Sequence, residues 1–151
     1  MKTSTYVLLD LPSKVEYALL ALLEIASQHS RQTPLTVGDI TDKQAIPERY
    51  LEQILGQLRR GGVLKSQRGA KGGYLLAQDP EQIKILDVVA TIEGEHQWGA
   101  ESERLTPESK LIRHEWQKAS LAAQSVLEDC SLKDLCDRRQ AYGESGFMYY
   151  I

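Results

Sequence analysis

The residues best suited to chemistry in this sequence form a cationic, glycine-rich stretch from Ser66 to Gln78, which reads SQRGAKGGYLLAQ. Arg68 and Lys71 carry its positive charge, and each is followed directly by a glycine. Glycine lets a turn adopt positive φ and approach another backbone closely, and lysine and arginine bind phosphate. The stretch therefore indicates a phosphate-binding turn, for a nucleotide or for a nucleic-acid backbone. A solvated basic hairpin without a ligand is the third interpretation.

The nucleotide interpretation is the weakest of the three. The segment RGAKGG lacks the G-x-x-x-x-G-K-[ST] spacing of a P-loop, and no helix is predicted directly after it. The net charge of −3 does not suggest a nucleic-acid binder, but its distribution does. No acidic residue occurs between Gln53 and Gln78, whereas five basic residues do: Arg59, Arg60, Lys65, Arg68 and Lys71. We therefore expect one basic face that binds DNA.

Two cysteines, Cys130 and Cys136, are the other reactive side chains. In a cytoplasmic chain such a pair is more often two thiols than a disulfide. Cys136 follows Leu132 and Leu135 in a predicted short helix, which indicates a buried thiol, whereas Cys130 lies at a turn and is expected to be more reactive. The sequence contains no C-x-x-C, no nucleophile elbow and no clustered His with Asp, so we expect no enzyme.

The size of the chain, 151 residues with 42% hydrophobic residues, suits one packed domain or one domain with an appendage. No apolar run approaches the about 18 residues that cross a membrane. The first twelve residues lack a small-residue cleavage site and do not resemble a signal peptide. We therefore expect a cytoplasmic protein without a membrane partner.

Three helices are predicted before the basic stretch. The first spans Ser13 to about Ser27, with Ser13 and Glu16 as a capping box. Thr36 caps a second, short helix, and the third carries Pro47 in its first turn and ends at a glycine pair. The apolar face of the third helix consists of Tyr50, Leu51, Ile54, Leu55 and Leu58.

The basic stretch itself is predicted to form a β-hairpin from VLKSQ and GGYLLA. A helix from about Ile85 to Ile92 follows, and Thr106 then caps a long helix. A final short helix starts with Ser131 and Asp134 as a capping pair. One side of the long helix carries an apolar stripe, which indicates a dimer interface or packing on its own domain: Ile112, Trp116, Ala119, Ala123 and Val126.

This order of elements predicts a mostly α fold with a small β-hairpin. It is the order of a winged helix-turn-helix followed by a long C-terminal dimerisation helix. In that architecture the third helix enters the major groove of DNA, and the hairpin reaches toward phosphates or the minor groove.

Three segments carry a family resemblance: KVEYALLALLEIA, IPERYLEQILGQLRRGGVLKSQRGAKGGYLLA and ILDVVATIEG. They resemble the Rrf2 family of bacterial transcriptional regulators. The resemblance implies a winged helix-turn-helix domain at residues 11–94, a sensor-type loop at 95–105, and a dimerisation helix and tail at 106–151. It also implies a homodimeric transcription factor, with repression among its modes of action, that binds a partly palindromic operator.

The resemblance places DNA contacts at the start of the third helix and in the wing. Arg49 suits guanine or a phosphate, and Glu52 suits the amino group of cytosine. Tyr50 suits a phosphate, or else it is a core aromatic. Solvation at the helix end is the alternative to a DNA contact for both Arg59 and Arg60. The full set of predicted contact residues is Arg49, Tyr50, Glu52, Gln53, Arg59, Lys65, Arg68, Gly69, Lys71 and Gly72.

Several members of the family hold an iron–sulfur cluster through three cysteines in the loop before the long helix. The corresponding loop here, EHQWGAESERLT, contains no cysteine. We therefore expect no metal site and no cofactor. The alternative is a redox-sensing regulator of the same fold. It would use either a cluster held by Glu16, His96, Cys130 and Cys136 or Cys130 as a reactive thiol.

Overall fold

The computed structural model describes residues 7–94 and 105–149 of the chain. Its helices are α1 (Ser13–Ser27), α2 (Val37–Thr41), α3 (Glu48–Arg60), α4 (Ile85–Glu93), α5 (Pro107–Glu128) and α6 (Leu132–Tyr149). Its strands, β1 (Leu64–Gln67) and β2 (Gly73–Leu76), form one antiparallel hairpin. The order of these elements confirms the predicted mostly α, winged helix-turn-helix fold.

Helix α1 lies at the centre of the core and packs against α3, α4, α6 and β2. Its apolar residues recur every three or four positions, and Leu22 and Ile25 are completely buried. From α3, Leu51 and Leu55 enter the same cluster. Burial of each such side chain contributes about 1.5–3 kcal/mol, so the position of α3 is set by its inner face and its outer face is left for solvent or a ligand.

The hairpin, which we call the wing, is attached to the helix-turn-helix by a short backbone pairing in addition to that between β1 and β2. The register of its strands runs from Leu64 opposite Leu76 to Gln67 opposite Gly73. Leu35 pairs with the other edge of β2: its amide donates to Tyr74 O at 3.1 Å, and the Tyr74 amide donates to Leu35 O at 2.8 Å. Because Leu35 lies two residues before α2, next to the N-cap Thr36, the wing and the helix-turn-helix form one unit.

The predicted N-terminal capping motif is confirmed at α2 and is wrong at α1. At α2, the Asp39 amide donates to Thr36 Oγ1 at 3.1 Å and the Thr36 amide donates to Asp39 Oδ2 at 2.9 Å, which confirms the N-cap. At α1, Ser13 already belongs to the helix and Pro12 is the N-cap, without a side-chain hydrogen bond. The capping box of Ser13 and Glu16 is therefore wrong, because a capping side chain must stand outside the helix on extended backbone.

Proline takes the same position at the start of α3, where Pro47 is the N-cap and not part of the first turn. Its φ of −59° and ψ of 125° bring the chain into the helix from extended backbone. The predicted end of α3 is confirmed: Gly61 is the C-cap, and Gly62 follows with a φ of 79°.

The C-terminal helices extend the core of the winged domain. The Ile85 amide donates to Cys130 O at 2.9 Å, and the Leu132 amide donates to Ile83 O at 2.7 Å. The predicted caps at Thr106 and Ser131 are confirmed. The expectation of a short final helix is wrong: α6 has 18 residues.

Helix α6 continues through Gly143, whose φ is not positive. A glycine ends a helix when it adopts the left-handed conformation, and this one does not adopt it. None of the helices in the two described ranges is long and apolar enough to cross a membrane.

Candidate nucleic-acid interface

The outer face of α3 carries the polar residues of the candidate site. Its inner face is fully buried, so the residues at other helical angles point outward. Arg49, Glu52 and Gln53 are all exposed. At 100° per residue, these three positions fall within an arc of about 100°. They form the compact, polar surface that major-groove binding needs.

Tyr50 is 49% exposed, so its alternative as a core aromatic is wrong. It lies in the first turn of α3, next to the buried Leu51 but turned away from the core. A tyrosine hydroxyl at the rim of a helix end can donate to a phosphate, which positions a protein on DNA without reading sequence.

The tip of the wing is a tight turn between β1 and β2. The Gly72 amide donates to Gly69 O at 3.0 Å; the exposed Arg68 directly precedes this turn, and the exposed Lys71 lies within it. Gly69 has a φ of 112° and no neighbour within 4 Å of a hypothetical Cβ, so its backbone is open to close approach by a ligand. A Cβ on Gly72 would collide with the backbone oxygen of Gln67, which makes this glycine a requirement of the turn.

The remaining predicted cations are exposed as well. Lys65 lies on β1, and Arg59 and Arg60 lie in the last turn of α3, where positive charge is favourable at the C-terminal end of the helix dipole. Within the described ranges, no ion pair involves any cation of α3 or the wing. We call the surface that carries Arg59, Arg60, Lys65, Arg68 and Lys71 the basic strip. Its positive charge therefore stays available to an anionic ligand.

The two halves of the basic strip lie on elements that pack together. Helix α3 contacts β1. The connection between them is short, and the Val63 amide donates to Leu58 O at 2.9 Å across it. The ten predicted contact residues therefore occupy two adjoining elements of a single unit.

The predicted sensor residues lie in different surroundings. Glu16 is exposed on α1, whereas Cys130 and Cys136 are both half-buried free thiols. His96 and most of the predicted sensor-type loop lie outside the described residues. In the part of the chain that the structure describes, no three His, Cys, Asp or Glu side chains are grouped to hold a metal ion.

The two thiols differ in their surroundings. Cys136 packs against the core, and burial, reinforced by the negative charge of Asp137, raises the pKa of its thiol. The Cys130 Sγ lies 3.8 Å from the backbone oxygen of Ser131 at the start of α6. The predicted burial of Cys136 is thus partial, and a protonated thiol is a poor metal ligand.

The apolar stripe of α5 is uncovered in the single chain. Ile112, Trp116 and Val126 are 68%, 56% and 69% exposed, and Ala119 is exposed too. Packing on its own domain therefore does not account for the stripe, although Ala123 is half-buried. An exposed apolar surface of this kind marks an interaction site.

Comparisons with known proteins identify relatives of the chain. The family model described as "Rrf2: Iron-dependent Transcriptional regulator" matches residues 11–138. The chain is 32% identical over 143 residues to the HTH-type transcriptional regulator CymR of Bacillus subtilis, covering 95% of this chain and all of that protein.

Two solved structures are similar over most of the chain. The structure of CymR, described as the global cysteine regulator of B. subtilis, matches with a TM-score of 0.74 at 31% identity, covering 87% of this chain and 98% of that one. The structure of IscR from T. potens matches with a TM-score of 0.75 at 31% identity, covering 95% and 98%. At these identities the likeness extends beyond the fold to the kind of protein.

Proposed function

Because the chain belongs to the Rrf2 family of transcriptional regulators, we propose that it binds duplex DNA as a homodimer and is not an enzyme. Helix α3 lies in the major groove, and the wing lies against the minor groove and the phosphates. The observation that supports this most directly is the basic strip, whose cations have no ion-pair partner in the described part of a chain of net charge −3. Release of counterions from DNA by such cations supplies the sequence-independent part of the affinity.

The contacts divide into those that read bases and those that position the protein. On α3, Arg49 suits guanine, Glu52 suits the amino group of cytosine, and Gln53 suits adenine. At the wing tip, Arg68 suits a narrow minor groove, where the negative potential is enhanced. The positioning contacts to the DNA backbone come from Tyr50, Arg59, Lys65, Gly69 and Lys71, with Gly72 holding the turn.

Dimerisation follows from the exposed stripe of α5 and from the need for specificity. A single winged helix contacts too few base pairs for a specific site. Two copies joined through residues 106–151 would present their α3 helices about 34 Å apart, one turn of DNA, to a partly palindromic operator. The Trp116 side chain supplies the largest apolar area, and the alanines let the two helices approach closely.

We further propose that the chain works without the three-cysteine cluster. Iron–sulfur clusters are held by cysteine thiolates, and the whole sequence contains two cysteines, neither of them in the loop before α5. The raised pKa of Cys136 disfavours the thiolate. The residues of this chain therefore do not fit such a cluster, although the family description names iron.

A salt titration of DNA binding tests the proposed function. The probe is the duplex that the wild-type protein selects from a random-sequence library, and the readout is fluorescence anisotropy. We expect the logarithm of the affinity to fall linearly with the logarithm of the salt concentration. Arg68→Ala/Lys71→Ala removes four cations from the dimer and should reduce this slope by about 3 to 4.

The matched control removes two cations outside the basic strip, through Lys118→Ala/Lys133→Ala, and keeps the wild-type slope. A wild-type affinity that is insensitive to salt contradicts DNA binding. An unchanged slope in the wing variant contradicts the assignment of the wing.

A further inference from the structure

Gly56 occupies the middle of α3, where glycine destabilises a helix relative to alanine. The fold does not require glycine here. Gly56 has no positive φ, and a Cβ on it would meet only the Arg60 Nη1, at 3.3 Å, the flexible end of a side chain. At Gly61, by contrast, a Cβ would come within 2.6 Å of Thr91. The absence of a side chain at Gly56 is thus unexplained by packing inside the protein.

The position of Gly56 on the helix suggests an explanation. It follows Glu52 by four residues and Gln53 by three, so all three lie on one face. At 100° per residue, it points about 160° away from the buried Leu58. Gly56 therefore lies at the centre of the outward face that the proposed function places in the major groove.

Arg60 fills the space that Gly56 leaves. A long side chain in a helix leans toward the N-terminus, over the residue four positions earlier. The 3.3 Å between the Arg60 Nη1 and the hypothetical Cβ shows that the guanidinium lies over Gly56. Arg59 is rotated by about 100° from this direction.

We propose that Arg60 is a further base-reading residue and that Gly56 is its positioning residue. Without a side chain at Gly56, the guanidinium lies across the centre of the DNA-facing surface of α3. Its planar fork of donors is suited to the O6 and N7 acceptors of guanine. A methyl group at Gly56 would force the guanidinium to shift by a few tenths of an ångström from this position. This inference rests on the proposed function, because it needs α3 in the major groove.

The test measures a specificity ratio, which is the affinity for the selected duplex divided by the affinity for a scrambled duplex of the same length. Loss of a phosphate contact lowers both affinities, whereas loss of a base contact lowers the ratio. We expect Arg60→Ala to lower the ratio about tenfold for each half-site that the dimer contacts, and Gly56→Ala to lower it in the same direction. The double variant should match Arg60→Ala, because both changes remove one contact.

Gly143→Ala is the matched control, since Gly143 is an exposed helical glycine with no neighbour within 4 Å of a hypothetical Cβ. Both glycine variants should raise the melting temperature by about 2–4 °C, so a loss of specificity at Gly56 cannot come from unfolding. Gly143→Ala should keep the wild-type ratio.

The inference is overturned if Gly56→Ala or Arg60→Ala keeps the wild-type ratio. It is also overturned if the two losses multiply in the double variant, because the residues then act separately. A wild-type protein that prefers no duplex contradicts the proposed function itself, which separates the two failures.

Discussion

The Arg139 Nη2 lies 2.7 Å from the Glu24 Oε1, although 115 positions separate the two residues along the chain. Glu24 is 2% exposed. The Gln44 Nε2 donates to the same oxygen at 2.9 Å. One buried carboxylate therefore connects α6, α1 and the turn between α2 and α3. Since a buried charge is costly without partners, this contact selects the docked position of α6.

We predict that Arg139→Leu lowers the free energy of unfolding by about 1.5–3 kcal/mol. The change leaves the Glu24 carboxylate with Gln44 as its hydrogen-bond donor and without a countercharge. The measurement is urea unfolding followed by circular dichroism. Arg138→Leu, at the exposed neighbouring position, is the control and should stay within about 0.5 kcal/mol of wild type. Equal stability of the two variants would refute the role of the pair.

The attachment of the wing gives a second prediction, at Gly73. A Cβ on Gly73 would lie 2.5 Å from Leu35 O, a backbone atom that cannot rotate away. Gly73→Ala therefore forces β2 away from Leu35 and disrupts its backbone pairing with Tyr74. We expect a loss of about 1–3 kcal/mol, measured by urea unfolding, together with weaker DNA binding. Gly143→Ala, which meets no neighbour, should not lose stability; if Gly73→Ala behaves like it, the wing is held in another way.

Local signals explain why most of the fold could be predicted from the sequence. The alternation of buried and exposed positions in α3, the Thr36 cap and the glycine pair after Arg60 each act over a few residues. The same locality explains the error at Ser13. The capping motif is present there, but Pro12 takes the N-cap position, so the side chains of the motif lie inside the helix.

The pair of Glu24 and Arg139 could not be predicted in this way, because it depends on how α6 docks on α1. One signal was present: Glu24 interrupts the apolar face of α1 between Leu22 and Ile25, all of them buried. A charged residue at a core position implies a partner, but not which one. The base contact proposed for Arg60 could not be predicted either, since its side-chain direction depends on the space above Gly56.

A third prediction concerns the pH dependence of Cys136. Burial, and then the charge of Asp137, raises the pKa of its thiol, so at neutral pH less of it is thiolate than in an exposed cysteine. In a Cys130→Ser background we expect slow alkylation by iodoacetamide. Its rate should reach half of its maximum at a higher pH than that of a cysteine in an unstructured peptide with blocked termini, as followed by mass spectrometry.

Asp137→Asn is the control for the cause of this shift. It removes the smaller contribution and should lower the midpoint only slightly, because burial remains. A midpoint below that of the cysteine in the blocked peptide would contradict a buried, protonated thiol and would make Cys136 a candidate redox centre.

The fourth prediction addresses the dimer through Trp116, which is 56% exposed on the stripe of α5. A glutamate there places a charge in an apolar contact, where it finds no partner and repels its copy across the two-fold axis. We expect Trp116→Glu to shift the mass measured by light scattering from twice the 17.0 kDa of one chain to a single chain. His114→Glu, about 160° away around the helix, adds the same charge and should stay dimeric. Since α3 and the wing are intact in both variants, the Trp116→Glu monomer should keep weak, salt-dependent DNA binding but lose its preference for a duplex with two half-sites.

A Trp116→Glu protein that remains dimeric would contradict this prediction and would place the dimer interface away from the stripe of α5.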